Sequence, residues 1–153
     1  MKTTFTRFAC ISIILLCFSA VKIYAQDYNI VPYPNQLIPQ EGKFILKEKI
    51  TISGPDSLTR EYGFLQDILS KQGVTSGVKK RGGKITFSPN SSLGTEAYTM
   101  EVTKKGIRIE YGTSAGAFYA IQTLQQMIEP EGRHGAVPCV QIADAPAFPW
   151  RAF

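Results

Sequence analysis

TSAGAFYAIQTLQQMIEPEGRHGAVPCVQIADAPAFPWRAF, residues 113–153, carries the sharpest pattern in the chain. It reads as an amphipathic helix, a polar loop, a buried strand and an exit rich in proline and aromatic residues. Ala117, Ile121, Leu124 and Ile128 fall at i, i+4, i+7 and i+11, which puts them on one helix face. Gln122, Gln125, Gln126 and Glu129 fall mostly on the other. Ser114 is placed to cap the start, and Pro130 ends the helix by pushing Glu129 out of the α region. Residues 137–142 run apolar, as a short strand. The exit gathers the sole tryptophan, two phenylalanines, two prolines and Arg151.

Just before this stretch, residues 98–111 carry the clearest hairpin. Tyr98, Met100 and Val102 alternate with Thr99, Glu101 and Thr103, Lys104-Lys105-Gly106 turns, and Ile107, Ile109 and Tyr111 alternate back. One face of this sheet is therefore buried and the other wet, with the helix from Ser114 on the buried side. Ile85-Thr86-Phe87 is a strand ended by Pro89-Asn90. Gly54-Pro55-Asp56-Ser57 breaks the chain and starts a second helix, with Leu58, Tyr62, Leu65 and Leu69 on one face and Gly73 as its stop. Residues 44–46 and 50–52 are two short strands, with Gly42 and Lys47 to Lys49 as turns around them. Pro32 and Pro34 cannot donate to a ladder, so residues 28–37 read as an extended edge segment. Strands, helix, strands, helix, strand is the order of an α+β domain, with a mainly antiparallel sheet and two helices packed on one face.

The chain opens like an export substrate. Lys2 and Arg7 precede an apolar run over residues 8–21, Lys22 closes it, and Ala25 is a small residue at a cleavage position. The expectation is a signal peptide over residues 1–25, and a secreted or periplasmic product with no stable membrane span after cleavage. The run falls short of the roughly 20 apolar residues of a spanning helix. A retained anchor and a lipoprotein are the alternatives. Against the second, Cys17 follows Leu16 and Cys10 lies close to Arg7.

Removal of the leader changes what composition says. The 17 Lys and Arg against 12 Asp and Glu give +5; Lys2, Arg7 and Lys22 leave with the leader and no acid does, so +2 remains. That balance is too mild for a nucleic-acid partner. The basic run Lys79-Lys80-Arg81 has no aromatic interleaving and precedes Gly82-Gly83, so it reads as a solvated turn. Cys10 and Cys17 leave too, and Cys139 alone allows neither an intramolecular disulfide nor a metal cluster. Cys139 sits in an apolar strand and reads as a small buried hydrophobe. His134, the one histidine, sits in a polar loop.

No HExxH, GxSxG, phosphate-binding loop or paired CxxC occurs. Glu96, Glu101 and Glu110 lie on or beside the hairpin, where a solvated strand face accounts for them. A glycosidase needs two carboxyl groups across one bond, or one acid plus a substrate group, and the hairpin offers no such pair. Asp144, before Pro146, reads as an Asx-turn at the strand's exit. No catalytic residue, metal ligand or cofactor follows from these residues.

The helix GAFYAIQTLQQMI, the exit VPCVQIADAPAFPWRAF and the opening YNIVPYPNQLIPQEGKFIL together resemble the leading part of family 20 glycoside hydrolases, the β-N-acetylhexosaminidases. The likeness covers essentially the whole mature chain and is most specific in its last forty residues. It implies an accessory α+β domain over residues 26–143. Residues 144–153 would then be the start of the first strand of a (β/α)8 catalytic barrel. In the family's D-x-P-x-F-x-W-R-G pattern the arginine matches Arg151, implying a substrate-binding role toward the hydroxyls of a terminal N-acetylhexosamine. A guanidinium's fixed fork of donors suits two vicinal oxygens. Ala152 stands where the family usually has glycine. The family's Asp-Glu pair, in which the substrate's own acetamido oxygen is the nucleophile, matches no residue of this sequence. The implied partners are N-acetylhexosamine-containing glycans, through the barrel, and the barrel itself as packing partner. A secreted non-catalytic glycan- or protein-binding module, and the leading domain of another glycosidase family, are the alternatives.

Overall fold

Alternation every second residue, broken by two stretches of helical period, gives the chain its element order. It runs β1 (Gln36–Ile45), β2 (Lys49–Ser53), a 3-10 turn (Asp56–Leu58), α1 (Thr59–Lys71), β3 (Thr75–Lys79), β4 (Ile85–Pro89), β5 (Tyr98–Thr103), β6 (Gly106–Tyr111), α2 (Ser114–Gln126) and β7 (Ala136–Asp144). The computed structural model describes residues 28–145. The expected leader, residues 1–25, and Arg151 with the rest of the exit motif from Pro146 onward lie outside these residues.

The seven strands form one sheet in the order β1-β7-β5-β6-β4-β2-β3. The fold is α+β with both helices on one face, as the sequence implies. The sheet is mixed, and the antiparallel expectation holds for one half of it. On the β1-β7-β5-β6 side every pairing is antiparallel. On the β6-β4-β2-β3 side every pairing is parallel. The physical reason is the connection: α1 carries the chain from β2 back to β3, and a strand returned by a helix runs parallel to its predecessor.

Strand β3 escapes the sequence reading because it carries no alternation to read. Its TSGVK is exposed at four of five positions and paired on one side only. Lys79, expected in a turn, is its last residue and pairs with Ser53. Gly42, expected as a turn, instead lies in a register break within β1, between Pro39 and Lys43, at φ 101°. That left-handed backbone favours glycine, so residues 36–45 form one irregular strand.

The hairpin follows its alternation. Tyr98 pairs with Tyr111, Met100 with Ile109 and Val102 with Ile107, all six buried. Thr99, Glu101 and Arg108 take the opposite face. Beneath the helices the inward side of the sheet supplies Ile52, Ile85, Phe87 and Ile109, and the helices answer with Leu65, Leu69, Ile121 and Leu124 in one core cluster. The Tyr62 ring meets Phe87 edge-on at 5.5 Å, joining α1 to β4. The cap of α2 is Thr113 rather than Ser114: its hydroxyl accepts from the Ala115 N–H at 3.3 Å, with Thr113 still extended.

Helix α2 approaches the sheet so closely that its third residue must be Gly116. A Cβ at that position would run into the carbonyl of Ala97. In an open helix Gly→Ala gains about 0.5–1 kcal/mol. Here Gly116→Ala is expected to reverse that sign and cost about 1–3 kcal/mol, because the helix must lift off its seat. Urea unfolding of residues 26–153 reads the difference; a midpoint that rises would show that α2 does not rest on Ala97.

Candidate functional site

The end of β7 is where the chain's unusual residues begin, and it is tied to the other end of the domain. The Asn35 N–H donates to Asp144 Oδ1 at 3.1 Å, and Asn35 Nδ2 donates to the Ala145 carbonyl at 2.8 Å. The Asp144 carboxylate thus reaches across the fold, whereas the sequence placed it in a local Asx-turn. Nearby, the Val31 N–H donates to Gln126 Oε1 at 2.8 Å and Gln126 Nε2 donates to the Val31 carbonyl at 3.3 Å. Residues 31–35 are therefore stitched to α2 and to β7. Between them lies a cavity of about 320 Å³ lined by Val31, Pro32, Glu96, Phe118, Tyr119 and Asp144, among others. It joins two carboxylates to an aromatic wall, but Asp144 is already engaged and no nucleophile and base face each other.

The other candidates are held by neighbours. Glu101 lies 3.7 Å from Arg108 on the open face of the sheet, and Glu110 accepts from Asn90 Nδ2 at 2.9 Å. Lys80 meets Asp56 only at 3.9 Å, with both side chains exposed, as a solvated turn residue would. Lys43 bridges Glu131 at 2.8 Å and Glu129 at 2.9 Å, and those hydrogen bonds, Glu131's first, push its pKa up to about 12. Burial raises the Cys139 thiol above its ordinary value, so it stays protonated at neutral pH and is a poor nucleophile. His134, read from sequence as a surface loop residue, is half-buried and donates from Nδ1 to the Gln72 carbonyl at 3.1 Å, bracing the end of α1. Among the described residues no three metal-binding side chains cluster, and no helix is long and apolar enough to cross a membrane.

Asn35 and Gln126 are the positional residues that sequence reasoning missed. Their partners lie 109, 110 and 95 positions away, and nothing local signals such a tie.

Comparison with known proteins places this geometry. Residues 27–145 match glycosyl hydrolase family 20, domain 2. The beta-hexosaminidase of Porphyromonas gingivalis is 30% identical over 145 residues, covering 85% of this chain and 19% of its own. That of Vibrio furnissii is 29% identical over 128 residues, covering 83% and 21%. Among solved structures, the beta-N-acetylhexosaminidase of Bacteroides fragilis superposes with a TM-score of 0.70 at 30% identity, covering 79% of this chain and 25% of that one. The exo beta-N-acetylglucosaminidase of Vibrio harveyi, solved with N-acetylglucosamine, gives 0.72 at 28%, covering 80% and 20%. The chain spans about a fifth of the length of the curated relatives it matches.

One buried polar pair fixes the floor beside the cavity. The Tyr98 and Thr123 hydroxyls meet at 2.6 Å, joining β5 to α2. Burial pushes Tyr98 up to about 12, partly offset by the Thr123 hydrogen bond. A raised tyrosine holds its proton longer folded than unfolded, so this stabilisation is complete below pH 10 and is lost as pH rises toward 12. Tyr98→Phe strands the Thr123 hydroxyl and is expected to cost about 1–3 kcal/mol at neutral pH. It should also make the loss of stability above pH 10 shallower. Urea unfolding across that range checks both; a decline as steep as in the parent chain would exclude Tyr98 as a source.

Proposed function

The chain belongs to glycosyl hydrolase family 20, whose domain 2 it carries, and from that membership we propose that it is the leading domain of an exported β-N-acetylhexosaminidase. The whole enzyme removes terminal N-acetylhexosamine residues from glycans. The observation that carries this reading is the match over residues 27–145, together with relatives named beta-hexosaminidases. The leader-like residues 1–25 support export to the periplasm or beyond the cell.

In this reading the domain does no chemistry. Asp144 accepts from Asn35, Glu101 faces Arg108, Glu110 accepts from Asn90, and Glu129 and Glu131 hold Lys43. The acid and the acetamido-orienting carboxylate of a substrate-assisted, retaining reaction come from the barrel that follows, on which the domain packs. Arg151 is the first residue of this sequence to reach substrate, gripping two sugar hydroxyls with its paired donors.

Two outcomes test the proposal. The purified 153-residue chain should not turn over a chromogenic N-acetylglucosaminide, and turnover would overturn the reading. In the longer gene product, which should be active, Arg151→Ala is expected to weaken substrate binding by about 1.5–3 kcal/mol, the worth of a charge-assisted hydrogen bond. Steady-state kinetics with KM and kcat both unchanged would remove Arg151 from the site.

A further inference from the structure

The chain's net charge is modest, but its cations are not spread evenly. Ser53 pairs with Lys79 and with Thr86, and Thr86 pairs with Arg108. Paired residues share a face, so these four stand in one row across β3, β2, β4 and β6. Their neighbours Ile52, Ile85 and Ile107 are buried, so the row lies on the side of the sheet away from the helices. Lys84 stands in the next row. Its N–H donates to the Thr51 carbonyl at 2.6 Å, and its carbonyl accepts from the Ile107 N–H at 2.8 Å. The loop before Lys84 folds back onto the same surface. There the Gly83 N–H donates to Ser53 Oγ at 3.0 Å, and a Cβ on Gly83 would collide with Ser53. That fold brings Lys80 and Arg81 to the row. Gly106 lies against the Lys84 carbonyl, which sets Lys105, in the turn before β6, beside Lys84. All six cations are exposed.

Among the described residues, two carboxylates come within ion-pair distance of the six: Asp56, 3.9 Å from Lys80, and Glu101, 3.7 Å from Arg108. Exposed pairs at such separations neutralise little. Lys79, Arg81, Lys84 and Lys105 meet no carboxylate among those residues. From β3 to β6 the cluster spans three strand spacings, about 14 Å. Like charges held this close repel one another, and an extended anion laid across them relieves several repulsions at once. We propose that this end of the open sheet face binds an anionic glycan chain, sulfated or uronate-bearing, through Lys79, Arg81, Lys84 and Arg108. The inference rests on reading the chain as part of an exported glycan-cleaving enzyme, and adds that the glycan it meets is a charged one. The floor between the cations is Thr51, Ser53, Thr86 and Gly106, small residues that let a polymer lie close to the backbone. It offers no aromatic platform for stacked bases and no bulky apolar side chain to enter a lipid surface. What it offers is charge and hydrogen-bond donors, which suit sulfate and carboxylate groups spaced along a sugar chain.

Titration calorimetry of the 153-residue chain with chondroitin sulfate tests the surface. Binding should appear at low salt and weaken steeply as salt rises, because screening shortens the reach of exposed charges. The triple variant Lys79→Gln, Lys84→Gln, Arg108→Gln should bind at least ~10-fold more weakly, since it removes three charges that face the polymer. A second triple variant, Arg60→Gln, Lys71→Gln, Arg133→Gln, removes as many exposed charges elsewhere and should bind as the parent does. Equal losses in the two variants would reduce the effect to net charge and overturn the proposal. So would binding by the parent that does not respond to salt. Tighter binding to duplex DNA or to phosphatidylglycerol vesicles than to chondroitin sulfate would overturn the choice of glycan. A longer gene product that binds chondroitin sulfate but cleaves no chromogenic N-acetylglucosaminide would support the surface and sink the enzymatic reading. Cleavage without binding would do the reverse.

Discussion

Strand β7 is last in sequence and second in the sheet, and the rest of the domain depends on that placement. It enters between β1 and β5 and pairs antiparallel with both, so its backbone groups have partners on both sides. Residues 136–140 are all buried. Until β7 is in place, β1 has no neighbour and β5 pairs on one side alone. The first and last strands of the domain thus lie side by side, and Asn35 and Asp144 close the seam. The point at which the chain leaves is set by this seam and not by a free tail.

The two faces of the sheet meet different fates. The helix side holds the core, with Tyr98 and Thr123 as a satisfied polar pair within it. No side-chain polar atom buried among the described residues lacks a partner. The other face presents alternating threonines and charges to water, where the Glu101 and Arg108 pair is worth little because both are exposed. The outer side of α2 fits neither description: it carries no charge, and Phe118 is exposed on it beside Gln125 and Gln126.

The hairpin was legible because alternation over residues 98–111 writes burial into every second position. Both helices were legible from their periodic faces. Where the pattern is weak, so was the reading. Strand β3 is an exposed edge with Gly77 at its centre, and its partner β2 lies beyond a whole helix. The bulge at Gly42 looked like a turn because a left-handed glycine serves both. The parallel half of the sheet follows from a crossover that no local residue announces. At the seam, a hydrogen bond between positions 35 and 144 leaves no trace in either neighbourhood. The family was legible for a different reason: the helix and the exit keep a particular order of residues, and residues 27–145 match that family.

A leading domain completed by what comes after it should leave its exit motif unsheltered when that continuation is missing. Trp150 is the only tryptophan in these 153 residues, and the peptide that carries it reports on that motif alone by mass. Hydroxyl-radical footprinting read peptide by peptide compares oxidation of Trp150 in the 153-residue chain and in a longer gene product. Ready oxidation is expected in the short chain and strong protection in the long one. A tryptophan already shielded in the short chain would mean that the domain covers its own exit, and would contradict this expectation.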